Sequence, residues 1–225
     1  IKIKNNTKKS LEYMKKKTQE INIEEEKVNL DKCDVTLLTT NHIGDIGKIE
    51  KIENYVFNGG YIFAMTTLEI DTNYQIIYRK LGISSFSEYI DTKGIQLISN
   101  VLIGEKGLEI DDEFVSNFSI GVSLNDEAET LIKSMDETPL LWKSKYGKGA
   151  FMVFNGTILE EKINRGLLVG SLSLLEPYFI YSVFNEKLFY IDDFPAPVPK
   201  GNNSVIYKEY QRDVASFFNE IWWPN

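Results

Sequence analysis

DVTLLTTNHIGDIGKIEKIENYVFNGGYIFAM, residues 34–65, sets two apolar runs of strand length on either side of a segment with helical periodicity. Residues 34–40 read as a short buried strand, and residues 61–65 as a second. Between them, Ile46, Ile49, Ile52, Tyr55 and Val56 recur at the spacing that lines one face of a helix over residues 45–57. Asn58-Gly59-Gly60 stops that helix, because glycine reaches the left-handed conformation that a helix C-terminus favours. Strand, helix, Gly-Gly, strand is a βαβ crossover, so the chain is expected to build an α/β domain with a parallel sheet and helices on its faces.

Downstream, the order is less regular. Residues 73–81 predict a helix closed by Gly82, and residues 95–103 and 118–124 predict strands around an acidic loop at Asp111-Asp112-Glu113. Residues 140–145 and 150–154 flank Tyr146-Gly147-Lys148-Gly149 and predict an antiparallel hairpin. An amphipathic segment over residues 160–175, with Ile163, Leu167, Leu168, Ser171, Leu174 and Leu175 inward, is expected to pack on the sheet before Pro177 ends it. Beyond that proline the composition shifts: aromatic residues crowd residues 178–190, and four of the six prolines fall between Pro195 and Pro224. The division therefore falls into residues 1–177, an α/β domain, and residues 178–225, the beginning of another. Trp222 and Trp223 place large apolar area near a terminus, and the chain opens on Ile1 instead of Met, so the natural protein is expected to extend in both directions.

A hydrophobic fraction of 43% is ample for a packed core, and a formal charge of -8 argues against a nucleic-acid partner. Lys8, Lys9, Lys15, Lys16 and Lys17 read as the solvated face of a helix whose inward stripe is Leu11, Met14 and Thr18. No apolar run is long and charge-free enough for membrane insertion. The lone Cys33 has no disulfide partner and is expected to be a small core residue.

Several chemistries lack their parts. No Gly-x-Ser-x-Gly or Gly-x-Cys-x-Gly elbow presents a nucleophile. Tyr146-Gly147-Lys148-Gly149 joins two strands, and Gly59-Gly60 ends a helix, so neither cradles phosphate at a helix N-terminus. The single histidine, His42, follows the first strand and suits either a general base or a loop cap. Leu188-Phe189-Tyr190-Ile191-Asp192-Asp193-Phe194-Pro195 drives an apolar strand into two adjacent carboxylates, which either cap a turn or share a cation. Two aspartates alone make an incomplete metal site, and no His-x-x-x-His accompanies them.

Residues 190–197, Gly201, and the Phe217-Phe218 and Ile221-Trp222-Trp223-Pro224-Asn225 pair of motifs resemble the DUF2194 family of bacterial surface-polysaccharide proteins. The upstream runs at residues 34–38, 55–63, 81–83 and 146–149 are similar as well. The resemblance implies a flavodoxin-like or class I glutamine-amidotransferase-like three-layer domain, mainly parallel with an antiparallel hairpin, that has lost its nucleophile. It also implies a truncated polysaccharide deacetylase-like barrel of the NodB type, with Asp192 as general base and Asp193 as ligand of a zinc-like divalent metal in the parent protein. The fragment itself is then expected to be non-catalytic and cofactor-free, an accessory domain of an extracellular or cell-surface protein. Its expected partners are the missing C-terminal domain of its own chain and a polysaccharide. The alternative is a small-molecule or sugar-binding module whose pocket, at the carboxyl edge of the sheet, is lined by Asn41, His42, Thr66, Thr67 and Glu69.

Overall fold

Strand β9 (Gly149–Phe154) is buried at every residue, and its alternate side chains enter two different cores. In the computed structural model, which describes residues 2–112, 115–181 and 200–224, β9 lies between β2 (Tyr61–Ala64), to which it is parallel, and β8 (Pro139–Tyr146), to which it is antiparallel. Strand β1 (Val35–Leu38) extends the parallel side. Strands β7 (Ala128–Lys133), β4 (Ile95–Leu97) and β5 (Glu109–Ile110) extend the antiparallel side, giving a seven-stranded sheet in the order β1-β2-β9-β8-β7-β4-β5. The antiparallel part is thus larger than the single hairpin legible in the sequence.

The period of two along a strand creates the layers. On one face, Phe63, Met152 and Phe154 meet Ile3 and Leu11 of α1 (Lys2–Tyr13) and Leu167, Leu168, Leu172 and Leu175 of α4 (Arg165–Leu175). On the other, Ile62, Ala64, Phe151 and Val153 meet Ile49, Ile52 and Val56 of α2 (Ile49–Phe57) and Tyr74 and Ile77 of α3 (Thr72–Ile77). Helix α2 ends as anticipated: the Gly60 N–H donates to the Tyr55 carbonyl at 3.0 Å, and Gly59 takes φ +117°. The β8–β9 hairpin turns through Gly147-Lys148, with Gly147 at φ +62°. Lys143 on β8 caps α4 by donating to the carbonyls of Leu174 and Leu175 at 2.6 and 3.3 Å, although burial lowers the pKa of its ammonium group.

A separate ribbon of β3 (Ile83–Lys93) and β6 (Ser116–Leu124) packs over the α3 side. The Trp142 indole on β8 donates to the Leu81 carbonyl at 2.7 Å and fixes the ribbon's start. At its other end Asn155, 2% exposed, accepts from the Ile120 N–H at 2.8 Å and donates to the carbonyls of Ile120 and Pro139 at 2.8 and 3.1 Å. One side chain therefore ties the ribbon to the exit of the central strand.

Four readings change in three dimensions. Cys33 is exposed, because β1 begins only at Val35 and the residues before it run over the surface. Ile163 is 90% exposed because it lies in a 3-10 turn preceding α4, out of that helix's register. Thr18 is exposed, since α1 stops at Tyr13, and its inward face is Ile3, Asn6, Thr7, Ser10 and Leu11. The strand predicted over residues 95–103 ends at Leu97.

The described residues fall into two compact units, divided between residues 183 and 184. In the second, α5 (Ser204–Tyr210) is capped by Asn203, and α6 (Val214–Phe217) by Asp213. The Ser216 amide and hydroxyl, donating to Asp213, hold that carboxyl below the ordinary carboxylate range. A single π turn, Phe218–Trp222, follows.

Two glycines of α4 test the packing. A Cβ at Gly170 would be driven into the Val101 carbonyl oxygen, whereas one at Gly166 would meet Leu102 Cδ2 at an ordinary 3.5 Å. In urea denaturation Gly170→Ala is expected to lose about 1–3 kcal/mol. Gly166→Ala is expected to stay within about 0.5 kcal/mol of the parent protein.

Candidate functional site

Parallel strands deliver their following loops to one edge of a sheet, and in α/β folds that edge is where ligands bind. Here the loops after β1, β2 and β9 surround a cleft of about 720 Å³. The loop after β1 contributes Thr39, Thr40 and Asn41; the loop after β2 contributes residues 66–70; and the segment after β9 contributes Thr157 and Glu160. Ile3 of α1 adds an apolar patch, and Tyr89 and Phe118 of the ribbon form an aromatic wall.

Backbone pairing carries the β1–β2 register into the cleft: the Met65 N–H donates to the Leu38 carbonyl at 3.0 Å, and the Glu69 N–H to the Asn41 carbonyl at 2.7 Å. The Asn41 amide donates to Glu69 Oε2 at 3.3 Å. His42 Nε2 approaches the same Oε2 at 3.3 Å, while its Nδ1 lies 3.5 Å from Asp71 Oδ2. Asp71 also caps α3, accepting from the Tyr74 N–H at 2.8 Å. His42 thus knits the two loops from behind. Of the five pocket residues read from the sequence, Asn41, Thr66, Thr67 and Glu69 line the cleft, and His42 does not.

The wall is fastened as firmly. Tyr89 and Phe118 stack with centroids 5.0 Å apart and planes 11° from parallel. The Tyr89 hydroxyl accepts from the Ile70 N–H at 2.9 Å, and the Thr67 hydroxyl donates to the Phe118 carbonyl. Asn117 Oδ1 accepts from the amides of Thr157 and Ile158 at 2.9 and 3.1 Å, which brings the segment after β9 to the rim. Behind the wall, burial and then the neighbouring Tyr89 phenol push the Tyr74 phenol far above its ordinary pKa, so it stays neutral. Tyr89, Phe118, Thr157 and Glu160 were not legible as site residues, because long-range hydrogen bonds bring them here.

The surface so built is rich in hydroxyls and poor in cations. Among the described residues its charged lining residues are Glu69 and Glu160, with no Lys or Arg. The Thr40 hydroxyl is buried without a hydrogen-bond partner among the described residues, a condition that costs about 1–3 kcal/mol. Among the described residues no Ser or Cys lines the cleft, and Cys33 precedes β1, at the opposite end of the strand. Among the described residues no three His, Cys, Asp or Glu side chains converge as metal ligands. Asp192 and Asp193 lie outside the described residues.

Fold and cleft define a mixed α/β protein with an open cleft at the carboxyl edge of its parallel strands. Over residues 1–124 and 110–225 the chain matches the family described as "Uncharacterised protein conserved in bacteria (DUF2194)", and it belongs to that family. No curated protein matches significantly. Among solved structures, a putative ThuA-like protein from Bacteroides uniformis is similar at a TM-score of 0.54 and 10% identity, covering 77% of this chain and 84% of that one. Cytoplasmic Protein STM3548 from Salmonella typhimurium is similar at 0.51 and 14%, covering 70% and 76%. A beta-galactosidase from Rahnella sp. R3 is similar at 0.54 and 16%, covering 75% of this chain but only 26% of the enzyme. At these identities the likeness is one of fold alone.

Tyr89→Phe removes the acceptor of the Ile70 amide and keeps the ring stack. Hydrogen exchange at Ile70 is expected to accelerate, with global stability falling by about 1 kcal/mol.

Proposed function

We propose that residues 1–177 form an amidotransferase-like α/β module that binds a small polyhydroxylated ligand, a sugar unit, without transforming it. The observation that carries this reading is the cleft at the carboxyl edge. It offers hydroxyl and amide groups from the loops that follow β1, β2 and β9 beside a stacked aromatic wall, and among the described residues no Ser or Cys lines it. Sugars present the complement: a rim of hydroxyls to hydrogen-bond and an apolar ring face to rest against an aromatic side chain.

In this proposal the module is the accessory part of a surface protein that modifies exopolysaccharide. Residues 178–225 open its deacetylase-like partner domain, and Asp192 and Asp193 are the base and metal ligand there. Acetate release from N-acetylated hexosamine oligomers by the longer protein tests that half. Activity surviving replacement of both aspartates by Asn would overturn it.

The binding half is tested by thermal unfolding of the present chain against a panel of neutral and amino monosaccharides and their oligomers. A binding saccharide at ten times its Kd is expected to add about 1.4 kcal/mol of stability. Phe118→Ala, which removes an exposed part of the wall and keeps the carbonyl bonded to Thr67, is expected to abolish the effect. A flat response to every saccharide would sink the proposal.

A further inference from the structure

The charged side chains that line the cleft are of one sign. Among the described residues two carboxylates line it and no Lys or Arg does. Glu69 spends only one oxygen on the protein: Asn41 and His42 both meet Oε2, which leaves Oε1 without a hydrogen bond among the described residues. Glu160 is half-buried, and its carboxylate forms no ion pair or hydrogen bond with the described residues. Its backbone carbonyl, by contrast, is held by the Asn6 amide. The guanidinium group that reaches this corner, Arg165, directs both Nε and Nη2 to Asn6 Oδ1, at 3.2 and 3.1 Å, instead of to Glu160. Lys2 pairs with the neighbouring Glu161 at 3.3 Å. Partly burying an unpaired carboxylate costs free energy that a cation in the cleft would recover. An anionic sugar would meet repulsion from the same two groups.

Resting on the sugar-binding reading above, we infer that the cleft prefers a saccharide carrying a free ammonium group. Glucosamine, with its ammonium directed to the Glu69 and Glu160 carboxylates and its ring beside Phe118, is the class it would take. The N-acetylated form replaces the ammonium by a neutral amide and loses the charge contact.

Titration calorimetry of the present chain at pH 7 with glucosamine, glucose, N-acetylglucosamine and glucuronate tests this. Glucosamine is expected to bind about fivefold more tightly than glucose, the factor that about 1 kcal/mol from a half-exposed charge contact supplies. Glucuronate is expected to bind more weakly than glucose. Glu160→Gln and Glu69→Gln, checked for folding by circular dichroism, are each expected to shrink the ratio of glucosamine affinity to glucose affinity. Equal affinity for glucose and glucosamine, or a preference that survives both substitutions, would overturn the inference and leave the sugar-binding reading standing. Absence of binding by all four saccharides would overturn both.

Discussion

The structure depends on a strand that must be buried on both faces and at both edges. Strand β9 pairs parallel with β2 and antiparallel with β8, so the sheet changes character at β9. Its even and odd side chains, Met152 and Phe154 against Phe151 and Val153, each need a cover, and the α1/α4 and α2/α3 layers supply one apiece. A near-continuous apolar run is what such a position demands. The next residue, Asn155, turns this burial into architecture: it ends the strand and hydrogen-bonds β6 through Ile120. From β6, Asn117 repeats the device by accepting from the amides of Thr157 and Ile158. The ribbon is held over the carboxyl edge for that reason, and the edge becomes a walled cleft.

What was legible in the sequence follows from how local its cause is. Strands β1 and β2, helix α2 and the β8–β9 hairpin announce themselves through periodicity and through Gly59 and Gly147, whose positive φ values close the helix and the turn. Strand β3 does not, because Ser85, Ser87, Glu88 and Asp91 sit on a ribbon exposed along most of its length and interrupted by register shifts. In β7, Leu131 and Ile132 are both buried in succession, since an irregularity between Thr130 and Ile132 shifts the register and spoils the alternation. Tertiary packing made each of these strands, and tertiary packing leaves no short-range pattern.

The site divides along the same line. Asn41, Thr66, Thr67 and Glu69 could be named because they follow strands, and loops at that edge face a common space. His42 shares their loops but is turned toward Glu69 and Asp71, so its role is to hold the loops together. Tyr89, Phe118, Thr157 and Glu160 reach the cleft only through partners distant in sequence. The aromatic wall, the Glu69 and Glu160 carboxylates and the threonines of the exit loops come together in this one cleft.

Amide chemical-shift mapping of the chain during titration with glucosamine tests this account most directly. Perturbations are expected to cluster at residues 39–41, 66–70, 89, 118 and 157–160, where the three exit loops and the ribbon converge. Saturable shifts confined to other surfaces, with those amides unmoved, would contradict the claim that this edge is the binding site.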